Sequence, residues 1–476
     1  MIRLILEAVK EWVEELLNGF VEKGNAEDSK SITGRYNVLD YGLKGDGTTD
    51  NTVALQNMIN SVPAGSIVFF PKGVYNISGE ISIGKNVSII GETIAVQRHH
   101  NTSFNAPDSV INYVGENGNI TLLKRSAYAS INIKGITFYG NAFETEVNTN
   151  EFVSLPYNYF RENIITQNVN ALDLQTIQAP DIVENCIFIG FSGYAVAVNQ
   201  HKYIKNCGFI NCGIAIKVTF DSMIQNCWFC RCGSAVETIP TSESVPFTTL
   251  NVSDCWADQL TRHFIESASP TTNMIITSNV WVDMVDGSAF YFPNGILYKS
   301  TINGHFGRIG MAYAGINDSD RTSETSKMSD LVYARRISNC VFDLGLGNEK
   351  MEVGRDPNAE CMSRLLTVTE WIISDTIIIC DRERDKLFGE NTTPTNVKAI
   401  LKDGMYMLHK GNSDYRYGIG RGNGSPINKR FAPDSDYLYI DKTTGDTYIS
   451  TSADDKTAWK LLNDPTDIDF SDIEGV

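Results

Sequence analysis

Asn185-Cys186-Ile187-Phe188, Asn206-Cys207-Gly208-Phe209, Asn226-Cys227-Trp228-Phe229 and Asp254-Cys255-Trp256-Ala257 repeat one phrase: an Asn or Asp, a Cys, a variable residue and an apolar residue. Asn279-Val280-Trp281-Val282 continues the series without its Cys, and Asn339-Cys340-Val341-Phe342 returns later. Copies lie about 20–28 residues apart, a period that marks a solenoid. Strand alternation sets Cys and Phe on one face of each phrase and the variable residue on the other. A second short strand follows a Gly: Gly193-Tyr194-Ala195-Val196, Gly213-Ile214-Ala215-Ile216, Gly233-Ser234-Ala235-Val236 and Gly287-Ser288-Ala289-Phe290. Strand, turn, strand and turn at about 20 residues per rung predict an all-β chain wound as a right-handed parallel β-helix.

The chain has 476 residues and a formal charge of −17. Such a surface does not hold nucleic acid or anionic lipid non-specifically, because phosphates are gripped by Lys and Arg. Ten cysteines in so long a chain do not make a disulfide scaffold. Cys186, Cys207, Cys227, Cys255 and Cys340 share one inward rung position, where a reduced thiol behaves as a small hydrophobe. That ladder implies synthesis in a reducing cytoplasm. On this register Cys207→Ser should cost roughly 1–3 kcal/mol by burying a hydroxyl without a partner. Cys230→Ser, pointing outward, should cost little. Cys212, Cys227, Cys230 and Cys232 have superficial metal spacing, but alternation sends Cys227 inward and Cys230 outward, so neither a metal nor a cofactor is expected. No transmembrane segment appears. The apolar start carries Glu7, Glu11, Glu14 and Glu15 and lacks a small-residue cleavage site, so it does not read as a signal peptide.

Residues 1–34 read as a helix and linker. Ile2, Ile5, Val9, Trp12 and Leu16 form an apolar seam that needs a partner, either its own domain or a parallel bundle at an attachment point. Asp40-Tyr-Gly-Leu-Lys-Gly-Asp-Gly-Thr-Thr-Asp50 is a Gly-rich turn leading into a helix from Asn51 to Asn60, with Thr49 or Asp50 as N-cap. No Lys-Ser/Thr follows to make it a phosphate loop, so its expected role is to set a helix over the open end of the solenoid. Ser66-Ile-Val-Phe-Phe-Pro-Lys-Gly-Val-Tyr-Asn-Ile77 reads as two strands about a Pro-x-Gly turn. These two segments resemble the entry to the pectate-lyase-like β-helix of phage tailspikes and related polysaccharide-acting proteins, with Leu43 where Ala is often seen. The resemblance spans residues 36 to about 410 and specifies fold better than activity, so 35–410 is assigned to the β-helix.

Residues 142–180, rich in Asn and carrying Phe152, Tyr157, Tyr159, Phe160 and Arg161, and residues 311–333 read as insertions on one side of the coil, either the binding side or variable surface loops. From 411 to 476 the composition changes. Tyr437 to Ser450 reads as a hairpin turning at Lys442–Gly445 and closed by Trp459-Lys-Leu-Leu462. This end resembles a module at the ends of phage tail proteins, which implies a homotrimer; a lone hairpin is also marginal in water. The acidic run from Asp464 to Glu474 reads as disordered.

Rung alignment also assigns the outer surface. Ile187, Gly208, Trp228, Trp256 and Trp281 point outward, placing three tryptophans in line, buried at a trimer axis, stacked on by sugars or packed under a loop. Two residues on, the row reads Cys230, Asp258 and Asp283. The second strand's outward row reads Lys217, Glu237, Glu266 and Tyr291. Asp258/Asp283 and Glu237/Glu266 are thus carboxylate pairs about 5 Å apart on adjacent rungs, near the separation of a retaining glycoside hydrolase. Like charges that close also raise one pKa, as a general acid requires. The alternative is an acidic stripe paired with Lys217 or Arg262. Glu237 and Glu266 rank first as catalytic candidates and Asp258 and Asp283 second. Trp228, Trp256, Trp281, Tyr291, Lys217 and His263 are candidates for sugar contact.

A lyase would need a base and a cation, available in Arg262, His263, His305 and Arg308. Gly304-His-Phe-Gly-Arg-Ile-Gly310 resembles two elements of polygalacturonases, but the acidic elements that should precede it are missing, so that activity is not carried over. His99-His100 reads as a surface pair. The expected function is a homotrimeric phage tailspike or receptor-binding protein in the virion tail, joined to other tail proteins through its N-terminus. It would bind, and in one reading depolymerise, a host polysaccharide such as capsule or teichoic acid. A non-catalytic adhesive spike and a bacterial polysaccharide lyase or hydrolase are the alternatives. Neither nucleic acid nor membrane is an expected partner.

Overall fold

The computed structural model describes residues 34–93, 108–140, 168–175, 181–240, 247–309, 331–344, 366–380, 393–401, 406–409, 416–429, 438–452 and 455–462, apart from positions 117, 201, 220, 286, 371 and 418. The apolar seam of residues 1–23, the His99-His100 pair and the acidic end lie outside them. Each central rung has three strands. The rung opening with Lys202–Lys205 continues through Gly208–Ile210 and Ile214–Val218. Each strand pairs in parallel with its counterpart one rung on: Ser222–Gln225, Trp228–Cys230 and Ser234–Thr238. Part of the expected 142–180 insertion is itself such a strand. Asn168–Leu174 pairs with both Asn119–Arg125 and Tyr194–Val198 and buries Val169, Ala171, Leu172 and Leu174.

The first letter of the repeated phrase is the corner between first and second strands. Asn185, Asn206, Asn226, Asp254 and Asn279 have φ of 54°, 54°, 49°, 54° and 51°. Asn and Asp enter this left-handed region at less cost than other side chains. The corners are also tied rung to rung. The backbone N–H of Asn206, Asn226 and Asp254 each donates across 3.0 Å, to the carbonyls of Gln225, Ser253 and Ser278. Asn226 Nδ2 donates to Asn206 Oδ1 at 2.8 Å, and Asn279 Nδ2 to Asp254 Oδ1 at 2.9 Å.

Inside the coil, Phe138, Phe188, Phe209 and Phe229 stack with centroids 5.0, 5.1 and 5.2 Å apart. Ala257 interrupts the ladder, and Phe264 then packs edge-on against Phe229 at 6.5 Å. The Gly before each third strand has no room for a side chain: a Cβ on Gly213 would lie 2.3 Å from the Ser192 carbonyl oxygen, and on Gly233 2.3 Å from that of Gly213. One ionic cluster is fully buried. Arg125 and Lys202 both bind Asp181 Oδ2, Lys202 at 2.8 Å, while Asp181 Oδ1 accepts from the Ile131 N–H at 2.8 Å.

The cysteine ladder faces inward, yet its thiols have partners. Cys207, Cys227 and Cys255 donate to the carbonyls of Lys205, Gln225 and Ser253 at 3.2, 3.4 and 3.1 Å. Ser300 and Thr376 hold the same place in other rungs and donate to Tyr298 and Ser374 at 3.3 and 2.8 Å. A serine at 207 would therefore find an acceptor, which corrects the expected cost. Cys230 needs a different correction: it points outward but is 1% exposed, inside a second apolar cluster with Ile189, Ile210 and Trp228.

At the N-terminal end, helix α1 (Thr52–Ser61) lays Leu55, Met58 and Ile59 on the open rung. Asp50 Oδ1 accepts the Thr52 N–H at 3.0 Å, and Ser78 Oγ donates to Asp50 Oδ2 at 2.6 Å. At the other end the rung-to-rung parallel pairing ends at Val397–Leu401, which pairs antiparallel with Tyr406–His409. The C-terminal hairpin joins Leu438–Asp441 to Thr447–Ser450, within a four-stranded sheet that also holds Ile419–Gly422 and Trp459–Leu461. Tyr439 centres its small core, 6.3 Å from Tyr448 and 5.8 Å from Trp459. The Thr443 hydroxyl and backbone amides nearby hold Asp441 down to about 2.

Asn226→Ala should destabilise the coil by about 1–2 kcal/mol in urea unfolding, the cost of a left-handed Cβ residue, and Asn226→Gly by less. Cys207→Ser should cost under about 1 kcal/mol, since a hydrogen bond is kept. A serine penalty as large as the Asn226→Ala loss would mean that the Lys205 carbonyl does not accept from this position.

Candidate functional site

The third-strand face carries the row read from sequence. Lys217 lies opposite Glu237, Glu237 opposite Glu266, Glu266 opposite Tyr291, and Tyr291 opposite Tyr333. The two glutamates adjoin, but each faces its own cation. Lys217 Nζ sits 3.0 Å from Glu237 Oε2, and Arg262 Nη2 sits 3.0 Å from Glu266 Oε1. This is the geometry of a structural ion-pair stripe, the alternative that sequence had left open. Tyr291 is equally committed. His263 stacks on one face at 4.2 Å with rings 1° apart, and Tyr333 on the other at 5.5 Å. Neither face of Tyr291 is open to a sugar. His263 donates from Nδ1 to the Ser288 carbonyl at 2.9 Å, and burial lowers its pKa against the opposing pull of Glu266.

The second-strand face is different. Trp228, Trp256, Trp281 and His305 follow one another in register. They do not form a uniformly exposed line. Trp228 is 6% exposed and lies over Gly208, where a Cβ would come within 3.4 Å of its Cε3. Its cover comes from its own chain, so it needs no trimer axis. Trp256 is half-buried and meets Trp281 edge-on at 6.5 Å. Trp281 is 48% exposed, with one face against His305 at 3.9 Å and 24°. Two residues along the same outward direction, Asp258 lies opposite Asp283, both half-buried. Adjacent rungs stand about 4.8 Å apart, within reach of the carboxyl spacing of retaining glycosidases, about 5–5.5 Å.

This corner of the coil can therefore lay a pyranose ring on an indole and offer carboxylates to its hydroxyls. His305 is the member that the repeated phrase does not mark. Lys299-Ser300-Thr301 would set Thr301 opposite Trp281, but the nine-residue strand Thr301–Ile309 runs on past it. Thr301 pairs with Val341 and Ile276, and His305 reaches Trp281. Among the described residues no three His, Cys, Asp or Glu side chains gather to hold a metal ion, and no helix is long and apolar enough to cross a membrane.

Residues 35–237 match the family model described as Rhamnogalacturonase A/epimerase, pectate lyase-like. That match takes in under half of the chain, and the strand order shows the rest of the described coil to be the same right-handed parallel β-helix, so the pectate-lyase-like fold is established and its resemblance to that family is carried by residues 35–237. It is 44% identical over 55 residues to a probable glucan endo-1,3-beta-glucosidase of Arthroderma benhamiae. It is 32% identical over 120 residues to mannuronan C5-epimerase AlgE1 of Azotobacter vinelandii. These matches cover 12% and 22% of this chain but only 6% and 8% of the relatives, so the chain spans less than a tenth of their length. Among solved structures it is similar to tailspike protein 3 of bacteriophage CBA120, at 13% identity and a TM-score of 0.39 over 91% of this chain and 70% of that one.

The His263 environment makes a pH prediction. Its folded pKa lies below the unfolded value of about 6.5, so the unfolded chain takes up more protons as pH falls through that value. Stability from this group is full above about pH 6.5 and is lost on acidification. His263→Phe keeps the stack on Tyr291 without the titration. Its melting temperature should fall less between pH 7 and pH 5 than the parent's, and equal falls would remove His263 from the acid response.

Proposed function

We propose that this protein is a glycan-binding spike of a bacteriophage tail. It grips a host cell-surface polysaccharide through the second-strand face, with Trp281 on His305 as the sugar platform and Asp258 and Asp283 as the hydroxyl acceptors. The observation that carries the reading is the half-open indole of Trp281, held from behind by a stacked imidazole beside two carboxylates on adjacent rungs. The family-model match over residues 35–237 and the polysaccharide-acting names of the curated relatives support a glycan ligand. The tail assignment rests on the resemblance of the Asp40–Asp50 and Phe69–Tyr75 segments and of the C-terminal hairpin to phage tail proteins. The same hairpin supports a homotrimer, attached to the tail through residues 1–34.

Cleavage, where it occurs, falls to Asp258 and Asp283, the carboxylates beside the Trp281 platform; Glu237 and Glu266 lie on the other face and are engaged by Lys217 and Arg262. That engagement also favours a second reading, in which the spike binds its glycan without turnover. Trp281→Ala should weaken binding to host-surface polysaccharide about tenfold or more, on the scale of a lost aromatic contact to a planar ring. Glu237→Gln and Glu266→Gln should leave binding unchanged. Where the parent shortens the polysaccharide, Asp258→Asn or Asp283→Asn should cost at least a hundredfold in turnover, as for a positioned proton donor. A parent without turnover on any host glycan establishes the adhesive reading, and full binding by Trp281→Ala defeats the site.

Assembly has its own test. Light scattering of the full chain at micromolar concentration should give a trimer mass, and deletion of residues 434–476 should lower it. A monomer mass for the full chain overturns the trimer.

A further inference from the structure

We infer that the polysaccharide taken by the second-strand face is a polymer of neutral hexopyranoses, not a polyuronate, a teichoic acid or another polyanion. This rests on the glycan-binding reading above and narrows it to a substrate class.

A polymer with one negative charge per sugar or phosphate needs cations at matching intervals along its path. The two outward rows of this face can be followed rung by rung, from Val110 and Asn112 to His305 and Gly307. Among the described residues neither row contains a lysine or an arginine. The formal charges they do carry are the carboxylates Asp258 and Asp283, next to the open indole.

Among the described side chains, three neighbouring cations hold protein partners. Lys217 and Arg262 hold Glu237 and Glu266 at 3.0 Å each, and Arg231 Nε donates to Gln259 Oε1 at 2.7 Å. The whole chain is at −17, so the longer-range field also repels a polyanion, within a screening length of about 8 Å at physiological salt. A neutral pyranose meets none of these penalties. Its C–H face fits an indole, and its hydroxyls donate to carboxylates without bringing an opposing charge.

The test uses the full-length protein on an immobilised glycan panel. The panel comprises neutral glucans, galactans and mannans, the polyuronates polygalacturonate and alginate, poly(glycerol phosphate), and cationic chitosan. Trp281→Ala is run in parallel to mark signals that come from this face. The expected result is Trp281-dependent binding confined to neutral polymers, changing less than twofold between 50 and 500 mM NaCl. Trp281-dependent capture of a polyuronate, of poly(glycerol phosphate) or of chitosan, or a tenfold loss with salt, would overturn the neutral class and leave the glycan-binding face standing. Binding that survives Trp281→Ala, or no binding across the panel, would instead overturn the site and this inference with it.

Discussion

A parallel coil of strands closes only if every rung turns through the same angle at the same place. Here one left-handed residue per rung makes that turn between first and second strands, and its backbone N–H reaches the carbonyl of the rung beyond. A β-branched or large side chain at that position would be strained. Asn and Asp relieve the strain and also link to one another along the edge, as Asn226 does to Asn206. With the corner set, alternation dictates that Cys and Phe fill the interior and that the residue between them faces out. The phenylalanine stack, the thiol ladder and the outer rows all inherit their register from it.

The outer surface is then a set of columns spaced at the rung repeat, and chemistry depends on which residues neighbour each other up a column. On the third-strand face the column runs from charged side chains to aromatic ones, and each group meets its complement, so little is left to bind a ligand. On the second-strand face the lower rungs are closed by an apolar cluster built on Ile189, Ile210, Trp228 and Cys230. The column opens only where Trp281 and His305 emerge, with Asp258 and Asp283 alongside. One tryptophan series thus supplies both packing and a platform, and the difference lies in what covers each ring.

Buried charge shows the same dependence on neighbours. Arg125, Asp181 and Lys202 come from three different rungs or corners and meet in the interior, where removing any one would leave charge uncompensated. Nothing in the local pattern of these residues distinguishes them from surface charges. Lys202 opens a strand whose other inward residue is the apolar Ile204, and Asp181 stands at the start of another.

The fold was legible in the sequence because a solenoid writes its geometry locally. Each phrase carries its own corner residue, inward pair and following Gly, so the register of Lys217, Glu237, Glu266 and Tyr291 could be counted by hand. The left-handed role of the leading Asn was present in the same letters, as the residue type that tolerates positive φ. What sequence could not supply was the state of each outward side chain. Whether Glu266 is a proton donor or the partner of Arg262, whether Tyr291 has a free face, and whether Trp228 or Trp281 is open all depend on groups from other rungs and corners. His305 shows the limit most clearly, since its strand departs from the phrase and the corner at Lys299 would have put Thr301 beside Trp281 in its place. Direction along a strand follows from covalent alternation and can be read from one chain segment. Exposure and pairing are properties of neighbours far apart in sequence, and only the closed coil decides them.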